Sequence, residues 1–335
     1  MDNRGHQKVG EPAIVAIGGG TGLSTMLRGL KKYTKNLTAI VTVADDGGGS
    51  GVLRSELKMP PPGDIRNCLQ ALANTEPTMR ALMNYRFTEG SLKGQSFGNL
   101  FLAALNGMSD SFDQAVMKMS DVLAITGRVL PVSNENIRLL AEFDDGTEVL
   151  GESHIAHHKA FHDRNIRRVR LIPEHPAALP ASIRAIEEAD MIILGPGSLY
   201  TSIIPNLLTE GIAEAVCASP AVKVYVMNIM TQDGETEGYT ASQHIAALQK
   251  HSGRDLFQFC LANSMELPEA VLSRYRLQGA EPTVLDREEI EALGVHLLTA
   301  PVADVRDGFV RHHPHMLARE LMRIFFEESP TRIYK

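Results

Sequence analysis

The sequence contains no tryptophan among its 335 residues, so any aromatic stacking platform must come from its seven tyrosines and eleven phenylalanines. Cysteine is scarce: Cys68, Cys217 and Cys260 lie far apart in apolar contexts. That odd, sparse set argues against a disulfide framework and reads as reduced core thiols of a cytoplasmic protein. A basic excess is also missing, since 33 Lys and Arg stand against 40 Asp and Glu for a net charge of -7. A phosphate-neutralising nucleic-acid surface is therefore not the main task. No apolar run approaches the roughly 20 residues of a membrane span. The opening "MDNRGHQKVGEP" lacks the apolar centre of a signal peptide.

What is present is ordinary globular material, 44% hydrophobic and 22% charged. "AIVAIGGG", from Ala13, is a short apolar run ending in glycine, as a buried parallel strand does. Leu23, Met26, Leu27 and Leu30 then form one helical stripe, and Leu37–Ala44 is a second strand, completing a βαβ unit. Ile65, Cys68, Leu69 and Leu72 mark another helix, with Asp64 placed to cap it. Phe97, Leu100, Phe101 and Ala104 mark a third, with Ser96 as N-cap and Asn106-Gly107 as stop. From Gly127 to about Arg170 the pattern turns to short strands, including "GESHI", with "DDGTE" as a hairpin turn. The α/β rhythm then resumes. We expect an α/β fold: a Rossmann-like, doubly wound, mainly parallel sheet in three α/β/α layers. One domain would span residues 12–330, with a flexible tail at 1–11 and a β-rich subdomain at 127–170.

Such sheets bind ligands beyond the carboxyl ends of their strands, and the loops there are unusual. Gly18, Gly19, Gly20, Thr21 and Gly22 form a glycine turn into a helix, suited to a phosphate or pyrophosphate. It is neither a Walker A loop nor a strict G-x-G-x-x-G, because Leu23 stands where the third glycine belongs. Asp45 and Asp46 follow the second strand, where a dinucleotide fold keeps its ribose-binding acid; Gly49, Ser50 and Arg54 come next and could close over a ligand. Asp64, Arg66 and Asn67 open one helix and Asn99 another; Arg66 opposes the helix dipole there, which suggests an anion or an aspartate partner. Gly195, Gly197 and Ser198 make a second glycine loop. After it, Tyr200 is a base-stacking or core residue, and Thr201 a phosphate ligand. Asn228 and the polar residues after it suit sugar hydroxyls. Two histidine groups, "HIAHHKAFH" and "RHHPH", have little carboxylate and no cysteine near them and read as solvated surface rather than a metal site.

Together, "AIGGGTGLSTMLRGLK", "VTVADDGGGSGVLR", "PPGDIRNCLQALA", "FGNLFLAAL" and "ADMIILGPGSLYTSIIPNLL" resemble the gluconeogenesis factor (YvcK-like) family, from about Ile14 to Phe325. That resemblance implies a cytoplasmic bacterial protein linked to cell shape and to growth on gluconeogenic carbon sources, with a UDP-sugar such as UDP-N-acetylglucosamine as ligand. The charge balance and the lack of a long apolar run argue for no nucleic-acid partner and no membrane span; a homo-oligomer with further protein partners is expected. The related CofD-like 2-phospho-L-lactate transferases use a nucleotide diphosphate donor. By that likeness Asp45 and Asp46 would be the catalytic candidates, holding Mg²⁺ with the bound diphosphate or orienting an acceptor hydroxyl. Arg311 matches a UDP-sugar-binding position. "GGGSG" replaces the more usual "GGSSG", so Gly49 stands where a serine hydroxyl might be. A third reading, a NAD(P)-binding protein, rests on Gly18, Gly20 and Asp45; Leu23 and the doubled acid count against it.

Overall fold

The computed structural model describes residues 11–162 and 164–329. The chain opens with β1 (Ile14–Gly18), α1 (Gly20–Leu30) and β2 (Leu37–Val41). The two strands pair in parallel, Ile14 opposite Leu37 and Gly18 opposite Val41. Five helices follow: α2 (Gly48–Leu57), α3 (Gly63–Leu72), α4 (Pro77–Asn84), α5 (Phe97–Gly107) and α6 (Phe112–Val122). Strand β3 (Arg128–Pro131) then closes one edge of the sheet. Next comes an insertion of β4 (Arg138–Phe143), β5 (Glu148–Leu150), α7 (Glu152–His162) and β6 (Ile166–Ile172). The second half runs through α8 (Pro180–Glu187), β7 (Met191–Leu194), a π-helical turn at Leu199–Ile203, α9 (Ile204–Leu207), α10 (Ile212–Ala218) and β8 (Val222–Val226). It continues with α11 (Ala241–Ser252), β9 (Phe259–Asn263), α12 (Glu269–Arg276), α13 (Arg287–Ala292) and β10 (His296–Ala300). A hairpin, β11 (Ala303–Arg306) with β12 (Phe309–His312), leads into α14 (Pro314–Glu328).

The central sheet has the order β10-β9-β8-β7-β1-β2-β3, all parallel. From β1 the chain builds outward to β2 and β3, then returns to the other side of β1 with β7. The switch point is thus the β1/β7 crevice. Every residue of β1, β2, β7 and β8 is buried, the signature of strands covered on both faces and the reason they read as unbroken apolar runs. Helix α1 covers one face through Leu23, Met26, Leu27 and Leu30, all fully buried and each contributing about 1.5–3 kcal/mol by burial. It packs on α3 and α14, while α11 packs on α9 and α13.

The β-rich segment divides. Strand β3 joins the main sheet, whereas β5-β4-β6 form a separate antiparallel sheet. "GESHI", expected as strand, instead begins helix α7. Ser96 caps α5 as expected, accepting from the Asn99 N–H at 3.2 Å. Asp64 does not cap α3; Pro62 holds that position, and the Asp64 carboxylate is turned to the Gly20 N–H. Residues 1–10 of the expected tail lie outside the described residues; Glu11 accepts from the Lys35 N–H at 2.5 Å.

Candidate functional site

The loops after β1 and β7 face one another. A Cβ on Gly18 would stand 3.7 Å from the Gly195 Cα, and one on Gly22 only 2.7 Å from the Pro196 carbonyl oxygen. Gly22 therefore supplies the close approach that a dinucleotide fingerprint assigns to its third glycine, while Leu23 goes into the core. Between the loops lies a cleft of about 420 Å³, within the usual range for a small-molecule site. It is lined by Gly19, Gly20, Thr21 and Gly22 from the first loop, Gly197 and Ser198 from the second, Asn228 after β8, and Arg311 from β12. Eight sequence-derived candidates thus converge from four parts of the chain.

The cleft favours an anion for a local reason. The N-cap of α1 is Gly19, which has no side chain to accept from the first-turn amides; the Gly20 N–H is taken by Asp64, and those of Thr21 and Gly22 are left for the cleft with the positive end of the helix dipole. Arg311 is the one Lys or Arg lining the cleft among the described residues. Its guanidinium lies over the Phe309 ring, 5.3 Å from the centroid. Asn228 works as a clamp: its Oδ1 accepts from the Gly197 N–H at 3.1 Å and its Nδ2 donates to the Gly197 carbonyl at 2.7 Å. Ser198 Oγ donates to Gln232 Oε1 at 2.7 Å. Tyr275, not singled out from sequence, and His312, read there as surface, also line the cleft. His312, expected at the surface, is buried, and burial pushes its pKa down to about 4, leaving it neutral.

Next to the cleft, beyond β2, carboxylates crowd together. Gly19 opens onto them: a Cβ there would stand 2.6 Å from Asp64 Oδ2. Asp45 Oδ1 accepts from the Gly47 N–H at 2.7 Å, and burial raises its pKa, with Asp46 adding to the effect. Burial first and Asp45 second push Asp64 up to about 7. Glu152 of α7 is raised well above the ordinary range by burial and by Asp45, Asp64 and Glu235. Glu235 is pushed to about 7 by burial although its Oε1 accepts from the Tyr200 and Thr201 N–H groups, both at 2.9 Å. Its other oxygen is buried without a partner. No group of three or more His, Cys, Asp or Glu is poised to hold a metal by itself among the described residues. Mg²⁺, however, commonly uses one or two carboxylates and completes its shell with phosphate and water. Asp45 and Asp64 fit that demand, as hard oxygen donors in a chamber short of positive charge. A bound Mg²⁺ there would neutralise diphosphate oxygens.

Several candidates serve the scaffold instead. Arg54 is buried and donates to the carbonyls of Ala44, Asp45 and Ile137, so it is not an open cation for phosphate. Asp46 accepts from the Ser153 N–H at 2.9 Å and docks α7. Tyr200 is 3% exposed, its hydroxyl 2.9 Å from that of Tyr239 and its ring edge-on to His251; it has no face for a base. Thr201 is buried with its N–H on Glu235, away from any phosphate in the cleft. Gly49 packs toward Gln95. Arg66 donates to Asn67 Oδ1 at 2.7 Å and to Ser96 Oγ at 3.5 Å; burial and then Arg86 lower its pKa, with Asp64 opposing them in part. Asn99 Nδ2 reaches Ser50 Oγ at 3.5 Å. Gly195 sits behind the cleft, against Ile203 and the Val226 carbonyl.

The sequence profile described as 2-phospho-L-lactate transferase CofD matches residues 14–303. The chain belongs to the CofD family. Among its relatives, a chain from Thermoanaerobacterium thermosulfurigenes is 53% identical over 311 residues, covering 93% of this chain and 96% of that one. The gluconeogenesis factor of Bacillus subtilis is 47% identical over 318 residues, covering 95% and 99%. A crystal structure of a UPF0052-family protein from Bacillus halodurans superposes with a TM-score of 0.89 at 44% identity, covering 92% of this chain and 99% of that one. Among the described residues, no helix is long and apolar enough to cross a membrane.

Proposed function

We propose that the cleft binds the diphosphate of a nucleotide sugar of the UDP-N-acetylglucosamine kind. In this reading the chain is a cytoplasmic, oligomeric regulator of cell shape and of growth on gluconeogenic carbon sources, acting through protein partners. The observation that carries the reading is the meeting of two glycine loops, from β1 and β7, across the switch point with Arg311 on the same rim. One loop alone would be a strand-to-helix turn; two facing loops with orphan amides and one cation form a slot for two phosphates. The UDP-sugar class and the cellular role come from the family likeness.

A second reading is favoured by the carboxylates. Asp45 and Asp64 stand beside the phosphate slot with raised pKa values, where an Mg-dependent transfer from a nucleotide diphosphate donor would need them. Calorimetric titration and thermal shift with UDP-N-acetylglucosamine, GDP and NAD, each with and without Mg²⁺, separate the readings. At 100 times Kd a ligand bound only to the native state adds about 2.7 kcal/mol. The regulator reading expects UDP-N-acetylglucosamine to stabilise the protein and to be recovered intact. Mg²⁺-dependent binding of GDP, with turnover once an acceptor is supplied, favours the transferase. Stabilisation by NAD alone contradicts both.

A further inference from the structure

A cavity of about 410 Å³ opens between strand β6 of the insertion and the last turn of α11. Among the described residues it is lined by Glu142, Arg167, Arg168, Lys250 and His251, none of which lines the cleft. Three cations thus share a wall with one carboxylate, in a chain whose net charge is -7. The volume is that of a small-molecule site.

A bulge brings the two arginines together. Strand β6 pairs with β4 so that Arg168 stands opposite Glu142 and Ile166 opposite Phe143, which leaves Arg167 as the extra residue. Successive strand side chains point to opposite faces; the bulge breaks that alternation, and both arginines reach one cavity. Two side chains of α11 fix the other wall. Lys250 Nζ donates to the Arg167 carbonyl at 2.9 Å, and His251 Nε2 accepts from the Val169 N–H at 3.1 Å. His251 Nδ1 donates to the Ala247 carbonyl at 2.7 Å, so both ring nitrogens are spent. Burial lowers the His251 pKa, and Lys250 and Arg168 lower it further, so the ring brings no charge to the cavity.

The positive charge is only partly cancelled. Arg167 pairs with Glu142 at 2.9 Å. Two other arginines of the insertion are also paired, Arg164 with Asp145 and Arg170 with Glu148 and Glu174. Arg168 and Lys250 make no ion pair among the described residues. A cation in the last turn of α11 offsets the helix dipole; that accounts for Lys250 and not for the bulged arginines. We infer that this cavity binds the phosphate group of a small anion, as free phosphate or as a phosphate ester. Guanidinium forks match phosphate oxygens in pairs, and an ammonium adds a point charge. Arg168 and Lys250 supply the uncancelled charge, and Glu142, by holding Arg167, limits how tightly the anion is bound. The inference stands apart from the diphosphate reading of the cleft.

Titration with inorganic phosphate and with glycerol 3-phosphate, followed by the NMR signals of the Val169 amide and the His251 ring, tests this. At least one of the two anions should move those signals to saturation, and sodium chloride at equal ionic strength should not. The tighter binder of the two tells free phosphate from an ester. Arg168→Gln should weaken binding about fivefold, and Glu142→Gln, which frees Arg167, should tighten it by a similar factor. A gain of affinity cannot come from a misfolded chain. Arg311→Gln, in the cleft, should leave the midpoint at Val169 and His251 where it was. Equal movement with chloride overturns the site, as does a midpoint that neither Arg168→Gln nor Glu142→Gln shifts. A midpoint that follows Arg311 instead of Arg168 puts the anion in the cleft and overturns it too.

Discussion

The two halves of the carboxyl edge are built on opposite principles. At β1/β7 the chain presents backbone: glycines, orphan amides and a helix N-terminus, with Arg311 the one Lys or Arg in the lining among the described residues. At β2, one strand over, it presents carboxylates: burial raises the pKa of Asp45, Asp64, Glu152 and the neighbouring Glu235, and Asp45 adds to the rise at Asp64 and at Glu152. The first half is ready for negative charge without rearrangement. The second is under electrostatic tension that a proton or a cation would relieve. A ligand carrying phosphates with Mg²⁺ would satisfy both, so the contrast reads as one site with two complementary ends.

Gly22→Val tests the first end most severely. Its Cβ would meet the Pro196 carbonyl at 2.7 Å, so the loops must separate. We expect nucleotide binding to be lost and stability to fall by about 1–3 kcal/mol, measured by calorimetry and denaturant unfolding. Retained affinity would break the claim that the loops act together. Arg54→Ala separates scaffold from site: it abandons three backbone carbonyls, and we expect a loss of about 2–4 kcal/mol with the affinity of the folded protein unchanged. A fall in affinity with stability intact would restore Arg54 as a ligand.

Asp64→Asn sharpens the second end. In the folded chain Asp64 keeps its proton up to about pH 7, against about pH 4 when unfolded. The folded state therefore binds more protons between those values. The stability this provides is full below about pH 4 and is lost as pH rises through about 7. The variant should be more stable than the native protein at pH 8, by about 1–3 kcal/mol, and the advantage should vanish below pH 4. Mg²⁺ with nucleotide should raise Tm at pH 8 in the native protein more than in the variant. A pH-independent difference between the two proteins would remove Asp64 from the tension. The smallest effect is expected of Tyr200→Phe, which loses only the hydroxyl pair with Tyr239: about 1 kcal/mol, with binding unaltered.

Much of this was legible in the sequence. Unbroken apolar runs ending in glycine gave β1 and β7 with their loops, and the Leu23–Leu30 stripe gave α1. Ser96 behaved as a cap because its hydroxyl has a local target three residues on. The failures share one cause. Arg54, Tyr200 and Thr201 have the right chemistry in the right loops, but a polar group next to a glycine looks the same whether it faces solvent, ligand or a buried carbonyl. Glu152 shows the converse: it belongs to a segment that reads as strand, and only the packing of α7 on the Asp45–Asp46 loop brings it to the chamber. Helix α12 buries nothing, so it leaves no stripe to read, and Tyr275 was missed with it.

Hydrogen exchange during titration with UDP-N-acetylglucosamine and Mg²⁺ puts the shared slot to the most direct test. The amides of residues 21–23 and 197–199 should slow together, with one midpoint, while those of the edge strand β10 stay as they were. Protection of one loop without the other, or of neither while the ligand binds elsewhere, would contradict the account.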